Sequence, residues 1–123
     1  MIPAAYKAIH DDMCKRASEL TMRKNHDYGS DKDSLANLRA CEDLGICTAE
    51  TGVLVRMCDK FRRLIKLNAI GETMSQVPDE TMLDTELDIM NYVTLFEALR
   101  RARAAQKTEV QDVRLVSRAA EED

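Results

Sequence analysis

The sequence predicts an all-α protein, a helical bundle of four to five helices, on three observations. Only two Pro and four Gly interrupt 123 residues. The strong helix formers Ala, Leu, Met, Lys, Arg and Glu dominate the composition. Apolar residues recur at three- and four-residue spacing through most of the chain. A chain of this length holds one real core but not two independent domains. We place the domain at residues 1–107 and read 108–123 as a C-terminal arm or tail.

Pro3 suits a first helical turn, and Tyr6, Ile9, Met13, Ala17 and Leu20 follow on one stripe, which predicts a helix from Pro3 to about Arg23. The stretch KNHDYGSDKDS then has the Asn, Asp, Gly and Ser content of an ordered polar loop. A short helix is expected from Ser34 to Leu44, capped by Asp33 or Ser34 and stopped by Gly45. Thr48 can cap a long helix that carries Leu54, Met57, Phe61, Leu64 and Ile65 on its inner side and ends at Gly71. After a turn, Asp79 can cap a last long helix reaching about Arg103. Beyond it, Val110, Val113 and Val116 keep the spacing of a marginal helix, an arm that packs on a neighbouring subunit or frays. No internal repeat or domain linker interrupts this order.

Aromatic residues are 4% of the chain and Trp is absent, so the core must come from Leu, Ile, Val and seven Met. A formal charge of −4 argues against general nucleic-acid binding, which needs a net basic face. Local basic clusters at Arg62, Arg63 and Lys66, and at Arg100, Arg101 and Arg103, still suit a small phosphorylated ligand. Cys14, Cys41, Cys47 and Cys58 lack zinc-ligand spacing and read as reduced, partly buried thiols. The N-terminal residues carry Asp11 and Asp12 and form neither a signal peptide nor a membrane span, so a cytoplasmic protein with no membrane partner is expected.

The segment PDETMLDTELDIMNY, residues 78–92, carries the strongest chemical signal. At about 100° per residue, a helix there gathers Glu80, Asp84, Asp88 and Asn91 within roughly 80° of one another. Buried carboxylates need a positive answer, either a divalent cation or a facing row of Lys and Arg. The other faces of the segment are apolar (Met82, Leu83, Leu87, Ile89, Met90, Val93), which turns the carboxylates toward the bundle. The helix before it carries Arg56, Asp59, Lys60 and Arg63 on a shared third of its circumference. If the two stripes meet, Asp59 joins Glu80 and Asp84 as hard oxygen ligands for Mg²⁺ or Mn²⁺, with Lys60 and Arg63 alongside. The competing outcome is an interhelical salt-bridge lattice without a ligand, as in a non-catalytic interaction or regulatory protein.

The loop contributes Lys24, Asp27 and Tyr28: a cation for phosphate, an acceptor for a base edge and a ring for its face. His26-Asp27 does not complete a phosphohydrolase metal motif, since the only other His is His10. The four glycines stand singly, which excludes a Walker-type phosphate loop. Nothing supports a Ser or Cys nucleophile.

Three blocks, KNHDYG, GVLVRMCDKFRRLIKL and DETMLDTELDIMNY, together resemble the phage-type branch of the MazG-like all-α nucleoside triphosphate pyrophosphohydrolases, in order and over about residues 15 to 97. The resemblance implies a dimer or tetramer that binds Mg²⁺ or Mn²⁺ between two helices and cleaves a (deoxy)nucleoside triphosphate to monophosphate and pyrophosphate. A purine, dGTP first, is the expected substrate; one related phage group supplies dGMP to a 2-aminoadenine pathway. The wider family has ExxE on its first metal helix and ExxD on the next. Here Arg56 and Asp59 occupy the first spacing, and Glu80 and Asp84 stand four apart, so Glu50 and Asp88 are reserve ligands. On this reading Asp59, Glu80 and Asp84 hold the metal, and Lys60, Arg63 and Lys24 neutralise the triphosphate. A metal-bound water attacks the α-phosphorus, and Asp27, Tyr28 and Asn37, with Asn91 and Tyr92 on the last helix, address the nucleoside.

Overall fold

The structure, a computed structural model, describes residues 1–28, 35–71 and 81–122, with side chains at all of these except 25–28 and 122. It is all-α, and the described residues contain no strand. Helix α1 spans Pro3–Tyr28; a 3-10 turn at Ala36–Arg39 leads into the single turn α2 at Ala40–Asp43; α3 spans Ala49–Ile70 and α4 spans Met82–Glu122.

The ends of α3 follow the local chemistry of its sequence. Thr48 is extended at its own backbone, and its hydroxyl accepts from the Thr51 N–H at 3.2 Å. At the other end Gly71, at φ 83°, turns the chain away while its N–H donates to the Leu67 carbonyl at 2.9 Å.

The observed elements differ from the sequence-based expectation at four places. Helix α1 runs past Arg23 to Tyr28, so Lys24 to Tyr28 are helical rather than loop. No Gly or Pro falls between Pro3 and Gly29, and a long-range contact of Lys24 holds the last turns against α4. Asp79, the expected cap of α4, lies outside the described residues. The cap observed is Thr81, whose N–H donates to Asp84 Oδ2 at 3.1 Å while its hydroxyl accepts from the Asp84 N–H at 3.0 Å. This is a reciprocal capping box, with Asp in the place usually taken by Glu. At its far end α4 continues through the expected tail to Glu122 as one helix. The short helix expected over 34–44 forms only as the 3-10 turn and α2; Gly45, at φ 75°, follows it, while Asp33 and Ser34 lie outside the described residues.

The core lies mainly between α3 and α4. Ala49, Val53 and Leu99 form its buried centre, and Leu35, Leu38, Met57, Tyr92 and Phe96 pack against it. Ala17 of α1, Leu67 of α3 and Leu87 of α4 are also buried. A fully buried Leu such as Leu67 contributes about 1.5–3 kcal/mol. Small residues let the elements approach: a Cβ added at Gly52 would stand 2.8 Å from Cys41 Sγ.

Much apolar surface is left uncovered. On α3, Leu54, Phe61 and Ile65, expected on the inner side, are instead exposed, in line with Cys58 at helical spacing, because the helix turns Ala49, Val53 and Leu67 to the core. On α4, every residue from 104 to 121 is exposed, Val110, Val113, Leu115 and Val116 among them. The total accessible surface is 9626 Å² for 13.9 kDa, whereas a compact monomer of that mass exposes roughly 6,700 Å².

Candidate functional site

The polar centre of the bundle is Asp88. Its place on α4 follows from helical spacing: Leu87 beside it is buried in the core, and Asp88 sits at the edge of that contact, where α1 and α3 both come near. Oδ1 accepts from Lys24 Nζ of α1 at 2.8 Å, and Oδ2 is 3.0 Å from Lys60 Nζ of α3. One carboxylate thus joins three helices. Its side chain is 14% exposed. Burial pushes its pKa up, but the hydrogen bonds from Lys24 and Lys60 outweigh that, and the carboxyl is held below its usual range.

Asn91 follows one turn later at 8% exposure, and its Nδ2 is buried with no hydrogen-bond partner among the described residues. An amide N–H left in that state costs about 1–3 kcal/mol. A buried donor of this kind is what a ligand acceptor would satisfy. Tyr92, by contrast, packs against the Ala49, Val53 and Leu99 cluster, so its ring belongs to the core packing.

A second ionic cluster pins the first turn of α3 to the middle of α4. Arg103 donates Nε to Glu50 Oε1 and Nη2 to Glu50 Oε2, each at 2.9 Å, and Nη2 also reaches Glu42 Oε1. Glu42 Oε1 in turn accepts from the Ala49 N–H at 3.2 Å. The hydrogen bonds from Arg103 hold both carboxyls below their usual range, and the two carboxylates push the guanidinium pKa up. Glu50, a reserve metal ligand in the sequence reading, therefore has both oxygens engaged by Arg103.

The remaining candidates are dispersed. Asp84 is exposed and serves the capping box with Thr81. Asp59 is exposed and lines a shallow depression of about 330 Å³ with Arg62, Arg63 and Lys66, a strongly cationic wall. Asn37 lines a different, apolar cavity of about 450 Å³ beside Cys41 and Cys47. Asp27 and Tyr28 fall in the last turn of α1, with side chains outside the described residues, and Glu80 lies outside them altogether. Of the sequence candidates, the structure brings together Lys24, Lys60 and Asp88, with Asn91 one turn along. It does not gather Asp59, Asp84 and Glu50. Among the described residues, no three His, Cys, Asp or Glu side chains form a group able to hold a metal ion.

Sequence reading missed the Glu42, Glu50 and Arg103 cluster. A signal existed in part: Arg103 stands four residues after the buried Leu99 and shares its face of α4. No local signal pointed to Glu42, which lies 61 residues from its partner.

No helix among the described residues is long and apolar enough to cross a membrane. Comparison with protein-family models, curated proteins and solved structures gives no match for this chain.

Proposed function

We propose that this protein is a metal-dependent nucleoside triphosphate pyrophosphohydrolase of the MazG-like type, acting on a purine (deoxy)nucleotide such as dGTP. One observation carries the reading. Each of the three sequence blocks behind the resemblance contributes one residue to the same seam: Lys24 from the first, Lys60 from the second and Asp88 from the third.

The donors suit Mg²⁺ or Mn²⁺ in type, since they are carboxylate oxygens and Asp88 is held ionised. Asp84 and Asp88 stand four apart on α4 and share a face, and Glu80 precedes Asp84 by the same interval. In the single chain, Lys24 and Lys60 provide the positive charge that the Asp88 oxygens require. A cation bound there would neutralise triphosphate oxygens and acidify a water for attack at the α-phosphorus. Lys24 and Lys60 come from two other helices, and on this reading they turn from Asp88 to the phosphates of an entering nucleotide. Arg63, three residues after Lys60, lines the depression beside Asp59 with Arg62 and Lys66, and on this reading it adds positive charge for the phosphates. Asn91 offers its unsatisfied amide to a ligand acceptor, and Asp27 and Tyr28, at the end of α1, remain the residues proposed to address the base.

We further propose a homodimer or homotetramer. The surface exceeds that of a compact monomer by roughly 2,900 Å², more than the ~800 Å² per partner of a standard interface. The outer stripe Leu54, Cys58, Phe61 and Ile65 of α3 is the apolar face a second copy would cover.

A non-catalytic interaction protein is the second reading, favoured by the fact that Asp88, Glu42 and Glu50 are each answered by a cation of their own chain. A panel of eight NTPs and dNTPs, assayed for pyrophosphate with Mg²⁺ or Mn²⁺, separates the two. Release from at least one purine nucleotide, abolished by EDTA, supports the enzyme. Silence across the panel, together with no thermal stabilisation by metal and nucleotide, supports the interaction protein.

A further inference from the structure

Cys41 in α2 and Cys47 in the connection from α2 to α3 are two thiols that the proposed hydrolysis does not use. The chain reverses there. Gly45 at φ 75° makes the turn possible, and the Cys41 carbonyl accepts from the N–H groups of both Ile46 and Cys47, at 2.9 and 3.3 Å. The reversal brings both side chains to one side of α3. The point where a Cβ would stand on Gly52 is 2.8 Å from Cys41 Sγ and 3.9 Å from Cys47 Sγ, so the sulfurs flank a single spot. Hydrogen bonding to Cys41, and then burial, push the Cys47 thiol up. A disulfide needs Cα atoms about 4.4–6.8 Å apart, and the hydrogen bond from the Cys47 N–H to the Cys41 carbonyl holds the two backbones together. Both cysteines are half-buried and line the cavity of about 450 Å³, whose other walls include the exposed Leu44 and Ile46, so a small reagent can reach them.

We propose that Cys41 and Cys47 are a dithiol modification site that closes to a reversible intramolecular disulfide by exchange with a low-molecular-weight disulfide such as oxidised glutathione. The thiolate of one cysteine attacks a sulfur of the reagent, forming a mixed disulfide and expelling one glutathione thiolate. The second cysteine, as thiolate, attacks the protein-side sulfur of that mixed disulfide and expels the other glutathione. Two cysteine S–H bonds are lost and one S–S bond forms; the reagent's S–S bond is reduced to two thiols, which take up the two protons. Gly52 lacks a side chain at the spot that the two sulfurs flank, which leaves room for the closure. The new bond fixes the turn carrying Glu42, and so acts on the cluster that ties α3 to α4.

The test uses the whole folded protein. After treatment with oxidised glutathione, free thiols are alkylated and the protein is digested with trypsin, which cuts after Arg39 and Arg56 and leaves Cys41 and Cys47 in one peptide, residues 40–56. The expected result is that peptide unalkylated and lighter by two hydrogens, faster in native protein than in urea, and restored to the alkylatable form by dithiothreitol. Cys14 and Cys58, both exposed, serve as internal comparison, and a Cys14→Ser, Cys58→Ser double variant should behave identically. Cys41→Ser or Cys47→Ser should leave glutathione trapped on the remaining partner. The proposal is overturned if the wild-type peptide 40–56 carries two alkyl groups or a stable glutathione, or if the disulfide forms no faster in the native protein than in urea.

Discussion

Arg103 grips Glu50 through two parallel hydrogen bonds, both 2.9 Å long, across 53 residues of sequence. The fork of the guanidinium matches the carboxylate, and its Nη2 extends the grip to Glu42. This joint fixes the start of α3 relative to α4, and with it the relative positions of Lys60 and Asp88.

Replacing Arg103 with Ala leaves two carboxylates facing each other without their cation. Thermal unfolding should show a clear loss of stability, larger than for Arg101→Ala, whose pairing with Glu97 is an exposed one within a single helix. Equal melting temperatures for the two variants would mean that the joint contributes nothing.

The pH dependence follows from the same residues. Glu42 and Glu50 have pKa values lowered in the fold from an ordinary 4.5, and Asp88 from 3.8. The folded form therefore binds protons less readily than the unfolded chain, and the stabilisation is fully present above about pH 4.5 and lost as pH falls through the lowered values. Melting temperature should drop on acidification below that point, and Arg103→Ala should flatten the drop. A wild-type melting temperature that is unchanged or higher in acid contradicts this sign.

Asp88→Asn and Asp84→Asn should each reduce pyrophosphate release by at least about 100-fold in protein that remains helical by circular dichroism. The two differ in their mechanical effect. Asn at 84 can still accept from the Thr81 N–H, whereas Asn at 88 leaves Lys24 and Lys60 without their shared anion. Full activity in either variant removes that carboxylate from the proposed site.

Thr81→Ala should cost about 1 kcal/mol by urea denaturation, because it removes the hydroxyl that accepts from the Asp84 N–H. A change near zero would show that the start of α4 is held by packing and not by its cap.

Gly52→Ala sets two effects against each other. In a helix Ala is favoured over Gly by about 1 kcal/mol, but the new methyl would stand 2.8 Å from Cys41 Sγ, and overpacking costs typically 1–3 kcal/mol. A net loss of about 1 kcal/mol is expected, relieved when Cys41→Ala is added, so a double-mutant cycle reads the clash directly. Additive effects would place the cost elsewhere.

Light scattering at micromolar concentration should report a dimer or tetramer, and Ile65→Glu, on the exposed stripe of α3, should shift it toward monomer. A wild-type monomer would leave that stripe without the proposed occupant.

What could be read in advance was local. Thr48 and Gly71 marked the ends of α3 because a cap hydroxyl and a positive-φ glycine act on their immediate neighbours. The Thr81 to Asp84 capping box is equally local and legible, but the acidic stripe on the same face makes Asp84 look like a metal ligand. The end of α1 was not legible, since Lys24 is held in helix by a residue 64 positions away. The candidate site shows the same division. Lys24, Lys60 and Asp88 could each be picked out by type and spacing, but their meeting depends on how three helices pack. Glu42 gave no sign of its role because nothing near it in sequence resembles Arg103.

The uninterrupted backbone of α4 has a geometric consequence. From its Thr81 cap to Glu122 it forms one rod about 60 Å long, so the far valines are clocked to Asp88 by helical phase alone. Inserting one residue between Arg103 and Val110 would swing everything downstream by about 100° around the axis while leaving composition and hydrophobicity almost unchanged. A partner docking on that distal end would therefore have to read an angle as well as a surface.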